Sequence, residues 1–145
     1  MTDTRGDPVR EARRDRTVEL RLAAVVGNLA VVRTLVGVVG ALEDFDLDNV
    51  ADLQLAVDEA CTRLVRASSV GATLDVVVGP ASDAVRVEAC VATRADHDVI
   101  APGSFSWHVL TALVDEVRTF RDGEQPGVGG QVFGVVLTKC RTAAG

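Results

Sequence analysis

Apolar and polar residues alternate at the start of the patterned part of the chain. Val18, Leu20 and Leu22 alternate with Glu19 and Arg21, a period of two that indicates a half-buried strand. Similar apolar runs bounded by turn residues predict four more strands, near residues 72–78, 84–93, 116–121 and 131–139. These patterns predict a sheet that supplies one layer of the fold.

Other segments repeat their apolar residues every three or four positions, which is typical of helices packed on one face. Asn28, Asp48 and Ser104 are suitable N-caps for three such helices, with predicted ranges 28–42, 48–68 and 104–115. The predicted order is β-α-α-β-β-α-β-β. A two-layer α+β sandwich, with one mixed sheet and three helices on one face, is the simplest way to bury these apolar surfaces.

The chain has 145 residues, enough for one domain, and we assign that domain to residues 17–140. Residues 1–16 carry mixed charges and few apolar side chains, so we expect a disordered polar tail. The apolar stretch 25–42 contains Arg33 and Asn28, which favours a helix of the domain over a membrane span. With no signal-peptide pattern, we expect a cytoplasmic protein without a membrane partner.

Charge and composition exclude some classes of function. The net charge is −6, and only five residues are aromatic, which argues against a nucleic-acid partner. Cys61, Cys90 and Cys140 lack paired spacing, so we expect buried thiols and no metal site. His97 and His108 have no neighbouring metal ligands in the sequence, and we interpret both as surface or half-buried residues.

The most informative segment is LQLAVDEACTRLV, residues 53–65. It places Glu59 and Arg63 four positions apart on one helix face, where a solvated ion pair contributes only about 0.3–0.5 kcal/mol. The segment resembles the N-box helix of the anti-sigma-factor serine kinases of the RsbW and SpoIIAB type. These proteins have the Bergerat fold, also called the histidine-kinase-like ATPase fold.

The resemblance extends over about residues 17–139. NLAVVRTLVG resembles the first helix of that family, SFSWHVLTALVDEV the third helix and FGVVLTK the closing strand. It implies an anti-sigma factor that sequesters a stress-type, sigma F-like factor and thereby regulates transcription. It also implies release by anti-anti-sigma proteins, and a homodimer.

The sequence departs from the family at the nucleotide site. The family places a carboxylate base four residues before an Asn that holds Mg²⁺. Glu59 matches that general base, and Arg63 stands in place of the Asn. An Arg side chain has no acceptor and carries a fixed positive charge, so it cannot ligate a cation. The resemblance therefore leaves Glu59 as a catalytic candidate without its metal partner.

Other nucleotide motifs are altered as well. The adenine-reading D-x-G-x-G run is absent after the third strand, where Asp96 and Asp98 come late and lack the glycines. The phosphate-binding G-x-G aligns with Ser104-Phe105-Ser106, which adds bulk where backbone would approach phosphates. The lid segment before Ser104 is also short. Arg63, Ser104 and Ser106 are thus degenerate cofactor-binding positions, and we expect at most weak ATP binding and weak or lost kinase activity.

The first helix retains a different family feature. There an Arg that contacts both the sigma factor and the anti-anti-sigma protein lies five residues after an Asn, and Asn28 and Arg33 have this spacing. The resemblance implies that both are partner-binding residues. Read without it, Arg33 is a helix residue whose charged end reaches water.

Three functions stay open at this point. The leading hypothesis is a regulator that binds and sequesters a sigma factor. The second is an active ATP-dependent serine kinase that phosphorylates an anti-anti-sigma protein. The third is a small-molecule sensing α+β domain, since architecture alone does not determine function.

Overall fold

The computed structural model describes residues 16–124 and 130–142. The strands are β1 (Val18–Ala23), β2 (Thr73–Ala81), β3 (Ala84–Thr93), β4 (Glu116–Glu124) and β5 (Gln131–Cys140). The α-helices are α1 (Leu29–Leu42), α2 (Leu47–Ala67) and α3 (Phe105–Leu113), and a 3₁₀ turn at Val26–Asn28 leads into α1. The α+β class is confirmed, and the helices and strands of the described residues follow one another as β-α-α-β-β-α-β-β. The predicted polar tail lies outside the described residues, apart from Arg16.

The five strands form one sheet in the order β1-β2-β3-β5-β4. Every neighbouring pair is antiparallel, so the expectation of a mixed sheet is wrong. Strands β3 and β4 run in the same direction and are joined through α3, which would normally place two parallel strands side by side. Strand β5 inserts between them and pairs antiparallel with both.

The core lies between the sheet and the helices. Alternate residues of β2, β3 and β5 face it, and α1 and α2 contribute the predicted apolar stripes. The largest fully buried side chains are Phe133, Leu53, Leu64, Leu74, Ile100 and Leu110. The faces of the strands and helices that the sequence pattern predicts to be apolar are therefore the faces buried in the core.

Two of the three predicted helix caps differ in the structure. Ser104 caps α3 as predicted, because its hydroxyl accepts the backbone N–H of Trp107 at 3.2 Å. The cap of α2 is Asp46, which accepts the N–H of Asn49 at 2.8 Å; Asp48 lies inside the first turn. Asn28 precedes α1 but its side chain makes no cap bond, because its amide instead donates to the carbonyl of Ala23 at 2.9 Å.

Strand β2 also runs further than the sequence pattern predicts. The predicted range ends at residue 78, but the strand pairing continues through Gly79 and Pro80 to Ala81 opposite Ala84. Proline is tolerated here because the ladder with β1 ends at Val78, so no third strand needs the missing N–H of Pro80.

Candidate functional site

Arg33 lies on the flank of α1 that faces α2. Its side chain is 48% exposed, while Val32 and Val36 of the same helix are fully buried. The guanidinium group is thus held at the rim of the helix layer, where it reaches solvent. Asn28, the other predicted partner-binding residue, is half-buried and is bound to the carbonyl of Ala23.

Two glycines allow α1 and α2 to approach each other closely. A Cβ atom at Gly37 would lie 2.6 Å from the Gln54 amide nitrogen, and one at Gly40 would lie 3.1 Å from Val50. The Gln54 amide donates to the main-chain carbonyl of Arg33 at 3.1 Å. Because glycine has no side chain, Gly37 and Gly40 let α2 pack closely against α1, and this packing holds Arg33 beside α2.

Asp58 of α2 is the acidic neighbour of Arg33. Nη1 of Arg33 lies 3.5 Å from Oδ2 of Asp58, a distance that permits an ion pair but is longer than a good charged hydrogen bond. Burial raises the pKa of the Asp58 carboxyl above its ordinary value, although the Arg33 charge acts in the opposite direction. We call Arg33 and Asp58 the open pair, because both remain partly exposed and their contact is long.

Glu59, Arg63 and Ser106 form a second polar group one residue further along α2. The Ser106 hydroxyl donates to Oε1 of Glu59 at 2.8 Å, and Nε of Arg63 lies 3.3 Å from the same oxygen. Ser106 is buried, and the Glu59 side chain is 25% exposed. We call these three residues the closed triad, because they bind one another and join α2 to the start of α3.

The structure thus brings together three of the four residues that the family pattern assigns to nucleotide chemistry. Ser104, the fourth, uses its hydroxyl as the helix cap. Glu59 accepts from Ser106 and Arg63, and Arg63 occupies the position at which the family pattern has a metal-binding Asn. These residues do not fit Mg²⁺ with a nucleotide, since a guanidinium group would repel the metal.

The loop between β3 and α3 supplies no adenine-reading carboxylate either. Asp98 lies 3.1 Å from Nε of Arg121, and Asp96 is exposed and lies 3.5 Å from the His97 ring. Both carboxylates are exposed and pair with nearby residues. Within the described part of the chain, no cluster of three or more His, Cys, Asp or Glu side chains is arranged to hold a metal ion.

Two open concavities lie on the helix layer, and of these two the first is lined in part by the polar groups. One of about 340 Å³ lies between α2 and α3 and is lined by Leu55, Asp58, Glu59, Thr62, Val109 and Leu113. The other, of about 450 Å³, lies along α1 at Ala30, Val31, Thr34 and Leu35. Asp58 therefore belongs both to the open pair and to the wall of the first concavity.

The outer flank of α1 carries exposed apolar side chains. Val31, Val38 and Leu42 are 47%, 52% and 70% exposed, and their spacing of seven and four places them on one side of the helix. This flank faces away from Arg33 and α2. A contiguous apolar surface of this kind marks an interaction site more often than an isolated exposed side chain does.

Sequence reasoning did not identify Asp58 as the neighbour of Arg33. Asp58 lies directly before Glu59 in the recognised motif, and the motif drew attention to Glu59 and Arg63. Its contact with Arg33 joins residues 25 positions apart on two helices, so no local spacing reveals it. The only available signal was the pair of glycines in α1, which permit close helix packing.

The three thiols have different environments. Cys61 is buried, Cys90 is half-buried and Cys140 is exposed, so the expectation of three buried thiols is wrong for Cys140. That residue lies at the exposed end of β5. Burial raises the pKa of Cys61 to about 12 and, with neighbouring carboxylates, that of Cys90 to about 11.

Comparison with known proteins identifies close relatives. The chain is 60% identical, over 129 residues, to a protein named anti-sigma-F factor RsbW from two strains of Mycobacterium tuberculosis, CDC 1551 / Oshkosh and ATCC 25618 / H37Rv. The match covers 89% of this chain and 76% of each relative. No protein-family model matches the chain. In the described residues, no helix is both long and apolar enough to span a membrane.

Proposed function

The chain belongs to the RsbW family of anti-sigma factors, and from this premise we propose that it sequesters a sigma F-like sigma factor and is antagonised by anti-anti-sigma proteins. The observation that carries the proposal is the 60% identity to anti-sigma-F factors over 89% of the chain. A sigma factor held in this complex is not available to RNA polymerase, so the chain regulates transcription. This activity places it in the cytoplasm.

The exposed surface around α1 supports binding through Arg33. The guanidinium group has five donors in a planar fork, and within residues 16–124 and 130–142 its ion pair with Asp58 uses a single nitrogen. The remaining donors can bind a carboxylate of a partner in two-point geometry, which Lys does not reproduce. The same Arg serves the sigma factor and its antagonist, so the two compete for this surface.

The closed triad supports a function that depends on protein binding and not on phosphoryl transfer. Oε1 of Glu59 accepts from Ser106 and pairs with Arg63, a side chain that cannot ligate a metal, and the described residues contain no cluster of three or more side chains arranged to hold one. We therefore propose weak or absent ATP binding and little kinase activity. Mg²⁺-dependent ATP binding at micromolar concentration, or phosphate transfer that Glu59→Ala abolishes, would show instead that the chain is an active serine kinase.

The outer flank of α1 supports a homodimer. Val31, Val38 and Leu42 lie exposed on it, and β1 leaves one edge of the sheet unpaired in the described chain. Because this flank faces away from Arg33, a dimer formed there leaves the open pair accessible. Light scattering at tens of micromolar should give twice the chain mass of 15.2 kDa, and a monomer mass would contradict the dimer.

The test of the proposed function is co-expression with a candidate sigma F-like factor. The two proteins should elute together from an affinity column and a sizing column. Addition of an anti-anti-sigma protein should then release the sigma factor. If the sigma factor elutes alone under conditions where the chain is folded, the proposed function is wrong.

A further inference from the structure

Asp58 belongs both to the open pair and to the concavity between α2 and α3. Its carboxylate contacts Arg33 on one side, and Asp58 lines the concavity with Leu55 and Val109 on the other. A partner that covers Arg33 therefore also covers Asp58. What the partner must present to Asp58 follows from the charge balance of this residue.

The negative charge of Asp58 is only partly neutralised by Arg33 in the free chain. Its contact with Arg33 is single and 3.5 Å long, and among the described residues it has no other ion-pair partner. Its pKa is nevertheless raised, because partial burial outweighs the effect of the Arg33 charge. Covering the surface would remove more water from this carboxylate, and a charge buried without a further partner is costly.

A partner carboxylate bound to Arg33 would increase this cost. It would lie beside Asp58, and two like charges separated by a few ångströms repel each other strongly once water is excluded. A partner cation placed against Asp58 removes both penalties, since it neutralises Asp58 and attracts the partner's own carboxylate. An alternating arrangement of four charges satisfies every group.

We propose that Asp58 is a specificity-determining residue of the partner surface, which selects a protein that presents one acidic side chain to Arg33 and one basic side chain to Asp58. This inference rests on the proposed function, because it uses Arg33 as the partner contact. It assigns the partner a paired acid and base instead of a simple acidic patch. A purely acidic surface is disfavoured by Asp58.

The test uses the sigma factor that co-purifies with the wild-type chain, and measures its dissociation constant for wild type and for each variant by titration. Asp58→Asn keeps the shape of the side chain and removes its charge, and we expect the dissociation constant to rise at least tenfold. The matched control is Asp52→Asn on the same helix. The Asp52 side chain is 42% exposed, and its Oδ2 lies 3.6 Å from Nζ of Lys139. We expect the control to bind within twofold of wild type.

A charge exchange separates recognition from a structural role. The double variant Arg33→Asp/Asp58→Arg retains an ion pair between α1 and α2 with its direction reversed. We expect it to unfold at a temperature close to that of wild type and to bind at least a hundredfold more weakly. Wild-type affinity in the exchanged variant would overturn the proposal, because a merely structural pair works in either direction.

Asp58→Asn alone decides the question if the exchanged variant does not fold. Unchanged or tighter binding by Asp58→Asn would overturn the proposal, and tighter binding would show that Asp58 competes with the partner for Arg33. A wild-type chain that does not bind any sigma factor would instead contradict the proposed function itself.

Discussion

The open pair and the closed triad begin at neighbouring residues of α2, yet they differ in what they leave available. Asp58 and Arg33 are 31% and 48% exposed and share one contact of 3.5 Å. Glu59, next in the chain, accepts from both Ser106 and Arg63. Asp58 and Glu59 line the same concavity, but the open pair retains binding capacity for an external partner, whereas Glu59 is held by other side chains of the fold.

The difference shows how a site can lose one role while the same helix keeps another. Arg63 stands where the family pattern has a metal ligand, and it forms an ion pair with Glu59, the candidate general base. Arg33 lies on a different helix, where its guanidinium group pairs with Asp58 and its main-chain carbonyl accepts from Gln54. Loss of nucleotide chemistry and retention of partner binding are therefore compatible within one short segment.

The largest expected effect is on partner binding by Arg33→Ala. If the contact loses its water at the interface, truncation costs about 2–4 kcal/mol, so the dissociation constant rises by about 30-fold to 1000-fold. Titrations against the sigma factor and the anti-anti-sigma protein measure it. Arg33→Lys should also bind more weakly, because it lacks the planar fork.

Arg118→Ala is the matched control for this prediction. Arg118 is exposed on β4 and pairs with Glu116 at 3.0 Å, far along the sheet from α1. The Arg118→Ala variant should bind both partners with the affinity of wild type. Wild-type binding by Arg33→Ala would remove the open pair from the partner surface, and thermal unfolding shows whether each variant stays folded.

A second prediction uses the thiols to test whether the helix layer stays closed. Burial raises the pKa of Cys61 to about 12, so at neutral pH its thiolate fraction is far smaller than that of an ordinary thiol. Iodoacetamide should modify exposed Cys140 at least tenfold faster than Cys61, as mass spectrometry of digested protein can show. Rapid labelling of Cys61 in folded protein would show that α2 opens readily.

The pH dependence of labelling follows from the same values. Below its pKa, a thiol gains about tenfold in thiolate for each pH unit. Slight burial and, to a smaller extent, neighbouring carboxylates raise the pKa of Cys140, so it stays below its pKa and its labelling should rise steeply from pH 7 to 8. Cys61 should stay unlabelled over this range, since its accessible fraction in the native state limits the reaction.

A smaller effect is expected when the closed triad is broken. Glu59→Ala leaves the Ser106 hydroxyl without its acceptor and Arg63 without its counter-charge, which should lower the free energy of unfolding by about 1–2 kcal/mol. Sigma factor affinity should stay within twofold. Glu116→Ala, which removes an exposed pair, should cost less than about 0.5 kcal/mol.

Chemical denaturation of the two variants measures these changes. A tenfold loss of sigma factor binding by stable Glu59→Ala would contradict the separation of the two regions. It would mean that the closed triad is part of the partner surface.

The smallest effect is expected for Arg63→Asn. This change restores the amide of the family pattern, but Ser104-Phe105-Ser106 still occupies the position of the phosphate loop. We expect no Mg²⁺-dependent ATP binding at micromolar concentration by calorimetry. Micromolar affinity in this variant would show that Arg63 alone blocks the nucleotide site.

Much of the fold could be predicted because its signals are local. The period of two in β1 and the apolar stripe of α2 follow from which face of each element is buried. The antiparallel pairing was missed because the position of β5 between β3 and β4 depends on contacts between distant segments. The cap of α2 is Asp46 and not the predicted Asp48, because the exact end of a helix depends on backbone geometry that the sequence pattern does not show.

The candidate site was only partly accessible to sequence reasoning. The motif around Glu59 led to Arg63 because the two residues are four positions apart on one helix. Ser106 was named as a degenerate phosphate position, and its bond to Glu59 depends on the packing of α3 against α2. The contact between Arg33 and Asp58 depends on the crossing of two helices, so it became visible only in the structure.

The most direct test of the account is a titration of a sigma F-like factor with this chain, in the presence and absence of Mg²⁺ and ATP. The account places binding at the open pair and gives the closed triad no nucleotide role. It predicts dissociation constants that agree within twofold under the two conditions, and a loss of at least 30-fold for Arg33→Ala in both. Binding that tightens tenfold or more only when Mg²⁺ and ATP are present would contradict it.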